Sequence, residues 1–164
     1  DINEMEKMLN EYLQFTSSSY LEKDEEFNLS ELIIRIIEKY ENKDISKNLS
    51  QRIYINGRKN LIQRCINNLI DNAIKYGDKV NVELNKGTNN IFIKIEDNGP
   101  GIPEKEYENV FKPFYKINKG RGESKSSVGL GLSIASDIIR SHGGHITLDK
   151  SSMSGLGVKI FLPA

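Results

Sequence analysis

An α/β two-layer sandwich, in which a mixed, mostly antiparallel sheet carries helices on one face, is the fold class this sequence predicts. Segments alternate apolar and polar residues with the period of a half-buried strand at Val80-Val82-Leu84 and Ile91-Ile93-Ile95, with further strands at 145–149 and 158–162. Residues with helical spacing lie before and between them, above all from Gly57 to Gly77 and from Gly129 to about Ser141. Strands that cluster in the middle and at the end of a chain, with helices between, pack as one sheet covered on one side.

Taken in order, residues 1–15 read as a helix with Ile2, Met5, Leu9, Tyr12 and Leu13 on a narrow stripe, which suits a bundle seam better than a globular core. Residues 16–26 are polar and read as a linker. Phe27 to Leu29 predicts a short strand, and Ser30 is placed to cap a helix whose apolar face is Leu32, Ile33, Ile36 and Ile37. Arg52 to Asn56 alternates as a strand. A turn at residues 86–90 joins the two strands of a hairpin, and Pro103 to Val110 allows a short helix. His142-Gly143-Gly144 stops the helix that begins at Gly129.

The 164 residues leave room for one compact domain and a short appendage. Acidic and basic residues balance at 23 each, so nothing points to nucleic acid or an anionic surface. No apolar run reaches the roughly 20 residues that span a bilayer. The single cysteine, Cys65, lies on the apolar side of its helix, where a buried structural thiol is expected rather than a nucleophile. A start at Asp1 inside a helix suggests a fragment of something longer.

Three segments carry chemistry. On the long helix, Arg64, Asn68, Asn72 and Tyr76 recur one turn apart and form a polar row beside a broad apolar face. Asn is a mediocre helix former, and its carboxamide oxygen is a hard ligand suited to Mg²⁺. Alone, the row leaves open both a ligand-binding face and an ordinary surface helix. Asp97-Asn98-Gly99-Pro100-Gly101 follows an apolar strand. Its acid can accept from the exocyclic amine of adenine, and its glycines permit close approach; a plain turn has the same composition. Ser127-Val128-Gly129-Leu130-Gly131-Leu132 leads into a helix whose first amides suit phosphate. The upstream segment, 115–128, holds Lys116, Lys119, Arg121 and Lys125 against one Glu123 and reads as a basic lid.

In this order the segments resemble the ATP-binding (Bergerat-type) fold shared by sensor histidine kinases, type II topoisomerases, Hsp90 chaperones and MutL mismatch-repair proteins. The histidine-kinase branch is the nearest. Asn68 to Tyr76 is similar to its N box, Asp97 to Gly101 to its G1 box, Val110-Phe111-Lys112-Pro113-Phe114 to its F box and Gly129 to Leu132 to its G2 box. The resemblance implies ATP or ADP as ligand with Mg²⁺, and a nucleotide site made of these residues. Asn72 would hold the metal with Asn68 beside it, Lys75 would face the phosphates and Tyr76 would lie against the nucleotide. Asp97 would read adenine, with Gly99, Gly101 and Ile102 shaping the base pocket. Lys116 would be the lid cation, Gly129, Leu130 and Gly131 the backbone cradle and Leu132 a packing residue. Residues 1–15 resemble the end of a dimerisation and phosphoacceptor helix, with wording nearest osmosensor-type (EnvZ-like) kinases, and 27–164 the catalytic domain.

The implied activity is transfer of the γ-phosphoryl of ATP to a histidine on the parent's own dimerisation domain, in a homodimer, and then to the receiver domain of a response regulator. The implied place is the cytoplasmic side of an inner-membrane sensor, with this fragment itself monomeric. Asn68 stands where hydrolytic members and anti-sigma-factor serine kinases carry Glu. An amide is no general base, so fast ATP hydrolysis is not expected. The phosphoacceptor motif is missing, and His142 and His145 read as structural. Ser127-Val128 replaces the usual Gly-Thr opening of the G2 box, and Gly155-Leu156-Gly157-Val158 lacks a threonine common in relatives. A nucleotide-binding regulatory module without kinase activity is the alternative, with the anti-sigma-factor-type serine kinase behind it.

Overall fold

The computed structural model describes residues 2–115 and 130–164. Its centre is a five-stranded sheet of order β2-β4-β5-β7-β6, formed by β2 (Asp44–Leu49), β4 (Lys79–Lys86), β5 (Asn90–Asp97), β6 (His145–Lys150) and β7 (Leu156–Pro163). β2 runs parallel to β4 and the other pairs are antiparallel, so the sheet is mixed and mostly antiparallel as the sequence predicts.

Register follows from alternation. Val82 pairs with Ile95 and Ile95 with Val158, Leu84 with Ile93 and Ile93 with Ile160, and all of these are buried. Their neighbours Asn81, Glu83, Phe92, Lys94 and Lys159 therefore line the opposite face. The buried side is covered by α2 (Leu29–Glu38), α3 (Lys59–Tyr76) and α4 (Gly131–Ser141), which contribute Ile33, Ile36, Ile62, Ile66, Leu69, Ile134 and Ile138 to the same core. Cys65 is fully buried between α3 and α4, its thiol 3.7 Å from the Ala135 carbonyl oxygen. Burial pushes that thiol far above its ordinary pKa, which makes it structural.

A small second sheet pairs β1 (Glu25–Asn28) with β3 (Tyr54–Gly57), Phe27 opposite Ile55. Four details depart from the sequence expectations. α2 is capped by Asn28, whose Oδ1 accepts from Glu31 N at 3.0 Å. Ser30 instead lies inside the helix, buried, where it donates to Ser50 O and accepts from Ile53 N. β2 was not expected, because DISKNL is mostly polar and exposed along this edge. The 103–110 stretch forms two short 3₁₀ turns, Glu104–Glu106 and Asn109–Phe111, rather than one helix.

The fourth departure concerns α1 (Ile2–Leu21), which runs six residues into the stretch expected to be a linker. Phe15 is the reason. It is buried in the core, Met8 and Tyr12 pack beside it, and Arg64 of α3 both lies 5.9 Å from its ring and donates to Glu11 O at 2.9 Å. The stripe of Met5, Leu9 and Leu13 faces away, 58, 50 and 53% exposed.

Candidate functional site

α3 positions the polar row. Its N-cap, Arg58, makes no side-chain cap bond. The carboxylate of Glu22 does that work from outside, accepting from Asn60 N at 2.7 Å and Leu61 N at 3.1 Å. A carboxylate at the positive end of a helix both pairs free amides and complements the dipole. Arg64 is turned to α1, so it leaves the row. Asn68, Asn72 and Tyr76 remain, spanning about 12 Å at 1.5 Å per residue.

Asn68 and Asn72 are half-buried. The Nδ2 of Asn68 is sealed from solvent and has no hydrogen-bond partner among the described residues. An orphaned buried donor costs about 1–3 kcal/mol, and a bound water, an ion or a ligand would complete its pairing. Tyr76 is half-buried, which raises its phenol pKa, and the Lys75 ammonium lies 5.4 Å from its ring centre. Lys75 itself is exposed.

The turn after β5 abuts the end of this helix. Asp97 is 5% exposed, and its Oδ1 accepts from Gly99 N at 2.8 Å and Leu156 N at 3.2 Å. Burial pushes its carboxyl above the ordinary value, and those two amides oppose the rise. Both fall on one oxygen, so Oδ2 takes no hydrogen bond from any described residue. Asn98 Oδ1 accepts from Asp78 N and Lys79 N, which locks the turn to the start of β4. Gly101 has φ +74°, a conformation that favours glycine. Ile102 packs against the core edge.

At the third segment, Leu130 and Leu132 are buried packing residues. Leu130 caps α4 without a side-chain bond, and the helical ladder opens with Ile134 N to Leu130 O at 2.8 Å. The amides of the first turn consequently have no intrahelical acceptor. Among the described residues, none lies within 4 Å of where a β-carbon on Gly131 would sit. Lys116, Gly129 and the whole basic segment through Ser127-Val128 lie outside the described residues, as does the side chain of Ile2.

The structure adds contacts that the sequence reading, which noted Gly155-Leu156-Gly157-Val158 only for a missing threonine, did not assign. The β6–β7 turn supplies Leu156 N to Asp97 Oδ1 and Gly155 N to Asp97 O at 3.2 Å. Gly155 packs so closely that a β-carbon there would overlap the Asp97 carboxylate. The two glycines at 155 and 157 were the available signal. The histidines are structural: His142 Nε2 accepts from Arg58 N at 3.0 Å while Nδ1 lies 2.7 Å from Ile138 O, and His145 stacks on Phe161 at 4.6 Å.

The residues present therefore fit an adenine nucleotide: a buried acid with one unengaged oxygen, an orphaned amide on the same helix side, and open helix amides. The model of the histidine kinase-, DNA gyrase B-, and HSP90-like ATPase family matches residues 57–164. The chain belongs to that family. Within this ATPase family it is 38% identical to the sensor histidine kinase GtrS of Pseudomonas aeruginosa across 65% of the chain and 22% of the relative. It is 32% identical to the sensor histidine kinase WalK of Bacillus subtilis across 98% of the chain and 29% of the relative. The chain thus spans less than a third of either relative's length. Its fold is that of histidine-kinase catalytic domains. The nucleotide-free catalytic domain of the histidine kinase ThkA superposes with a TM-score of 0.75 at 26% identity, covering 86% of this chain and 97% of that one. A mycobacterial sensor histidine kinase, MprB, gives 0.73 at 26% identity over 85% and 96%.

Proposed function

We propose that this chain is the part of a two-component sensor kinase that binds Mg²⁺-ATP and presents its γ-phosphoryl to a histidine on the parent protein's dimerisation domain. The observation that carries the reading is the buried Asp97, with Oδ1 saturated by two amides and Oδ2 left for a donor. The exocyclic amine of adenine is such a donor, whereas guanine places an oxygen there, and a site built for one pattern rejects the other strongly.

Along the helix from that base site, Tyr76 lies against the nucleotide, Lys75 faces its phosphates, and Asn72 and Asn68 stand at the phosphate end. The carboxamide oxygen of Asn72 would hold Mg²⁺, which neutralises phosphate charge when bound. Gly99, Gly101 and Ile102 shape the base pocket. The Gly129-Leu130-Gly131 amides would cradle phosphate, and Lys116 would be the lid cation for it. Asn68 has no titratable group, so the site positions ATP without activating water. Transfer of this kind rests on alignment and charge neutralisation.

Residues 1–15 belong, in this reading, to the dimerisation and phosphoacceptor helix of a homodimer, 16–26 to the joint, and 27–164 to the catalytic domain. The exposed stripe of Met5, Leu9 and Leu13 supports a bundle role, and its wording supports the osmosensor branch. The parent would be a membrane sensor whose catalytic end lies in the cytoplasm and passes phosphoryl to a response regulator. Calorimetric titration with Mg²⁺-ATP and Mg²⁺-GTP, beside a phosphate-release assay, tests the site. Adenine-selective binding with negligible hydrolysis is expected; equal affinity for both purines contradicts it.

A further inference from the structure

Asp97 is followed in three dimensions by a turn, not by another strand residue, and its immediate chain neighbour holds that turn from the other side. Glu96 and Asp97 are consecutive in β5, so their side chains leave opposite faces of the sheet. Asp97 grips the β6–β7 turn from the core side through Leu156 N and Gly155 N. Glu96 grips the same turn from the outer side. Its Oε2 accepts from Ser152 N at 2.8 Å and Ser152 Oγ at 3.1 Å, with the Lys94 ammonium 3.6 Å away.

Glu96 is only 3% exposed. Burial alone would raise its pKa, but the Ser152 amide, Lys94, and the Ser152 and Ser151 hydroxyls together hold it below the ordinary carboxylate value, so it stays charged. The turn it holds is tight. Ser151 N bonds Gly155 O at 2.8 Å, Ser154 N bonds Ser151 O at 3.1 Å, and Ser154 sits at φ +81°. A serine in that left-handed region persists only where its surroundings over-determine it. The Glu96 clamp is one of those surroundings.

We propose that Glu96 is a positioning residue for base recognition: it fixes the Ser151–Gly155 turn so that Leu156 N engages Asp97 Oδ1 and leaves Oδ2 aimed at the adenine amine. This rests on the adenine-reading role given to Asp97 above. Without the clamp the turn relaxes, Leu156 N leaves the carboxylate, and the acid loses its fixed orientation.

The test compares Glu96→Ala, Glu96→Gln and Asp97→Asn in the full chain, titrated with Mg²⁺-ATP and Mg²⁺-GTP, with amide exchange followed at Leu156. Glu96→Ala is expected to weaken ATP about tenfold, an amount in keeping with loss of one charged hydrogen-bond contact, to narrow the ATP:GTP ratio and to speed Leu156 exchange. Glu96→Gln keeps an acceptor for Ser152 N and should recover most of the ratio, which general destabilisation would not. Unchanged ATP affinity in Glu96→Ala while Asp97→Asn loses it overturns the positioning role and leaves the site reading standing. An equal loss for both purines with Leu156 protection intact also overturns it. If Asp97→Asn itself keeps both affinity and selectivity, the adenine reading fails and the Glu96 role with it.

Discussion

The peptide carbonyl oxygen of Tyr76 lies 2.5 Å from where a β-carbon on Gly99 would sit. The last turn of α3 and the turn after β5 are thus in backbone contact, and only glycine allows it. Any side chain at 99 must drive the two apart at the point where the helix of Asn68 and Asn72 meets the acid of β5. We expect Gly99→Ala to cost about 1–3 kcal/mol as an overpacked contact and to weaken ATP binding by more than that loss explains. Thermal melting and calorimetry on the same variant separate the two effects. Full ATP affinity in Gly99→Ala would show that this contact does not shape the site.

Asn68 offers the opposite trade. Its Nδ2 is buried and has no partner among the described residues, so replacing it with a similar apolar side chain removes a penalty of about 1–3 kcal/mol. Asn68→Leu should melt a few degrees higher, at roughly 2–4 °C per kcal/mol for a chain this size, and should lose Mg²⁺-ATP binding. A variant that melts lower would mean the amide is already satisfied.

Acid should act on the site before it acts on the fold. Burial raises the Asp97 carboxyl above its unfolded value, which is about 3.9. The native state therefore takes up this proton first, and as pH falls through the window between the unfolded value and the raised native one, this group favours folding. Protonation also removes the acceptor for adenine. ATP affinity is expected to fall with pH from above the ordinary aspartate range, while Asp97→Asn shows a flat, weak profile there. Glu96 has the reverse sign: held below its unfolded value, it contributes stability above that value and loses it as pH drops through the native one. A pH-independent ATP affinity down to the ordinary aspartate range would remove Asp97 from the binding site.

Much of this was legible in the sequence, and what was not has a physical reason in each case. Strands β4, β5 and β7 are half-buried and advertise themselves by alternation; β2 is an exposed edge whose pairing comes from the neighbouring strand. Asn28 and Ser30 are both good capping residues two positions apart, and the choice between them is made by the buried bonds of Ser30 to Ser50 and Ile53. Phe15 lies outside the stripe of α1, at the end of the helix the sequence predicts, yet it is the residue that docks the helix. Asp97 and its glycines were visible because turn chemistry is local. Its bonds to Gly155 and Leu156 were not, because these partners arrive from 58 and 59 residues away, and a backbone amide leaves no mark in a sequence.

The Glu22 cap is another such long-range partner, and it joins the α1–β1 connection to the helix that bears the asparagines. Glu22→Ala should lower stability by about 1–2 kcal/mol, the usual worth of a good cap with its dipole term. Amide exchange at Asn60 and Leu61 should rise with it in hydrogen–deuterium exchange. No change at those two amides would remove the cap from the account.

The central claim is phosphoryl transfer without hydrolysis. Its most direct measurement supplies the chain with γ-labelled ATP, Mg²⁺ and a separate phosphoacceptor domain from the same parent. The account predicts acid-labile, base-stable label on the acceptor histidine, none on this chain, and loss of labelling in Asp97→Asn. ATP bound with normal affinity and no label on the acceptor would contradict it.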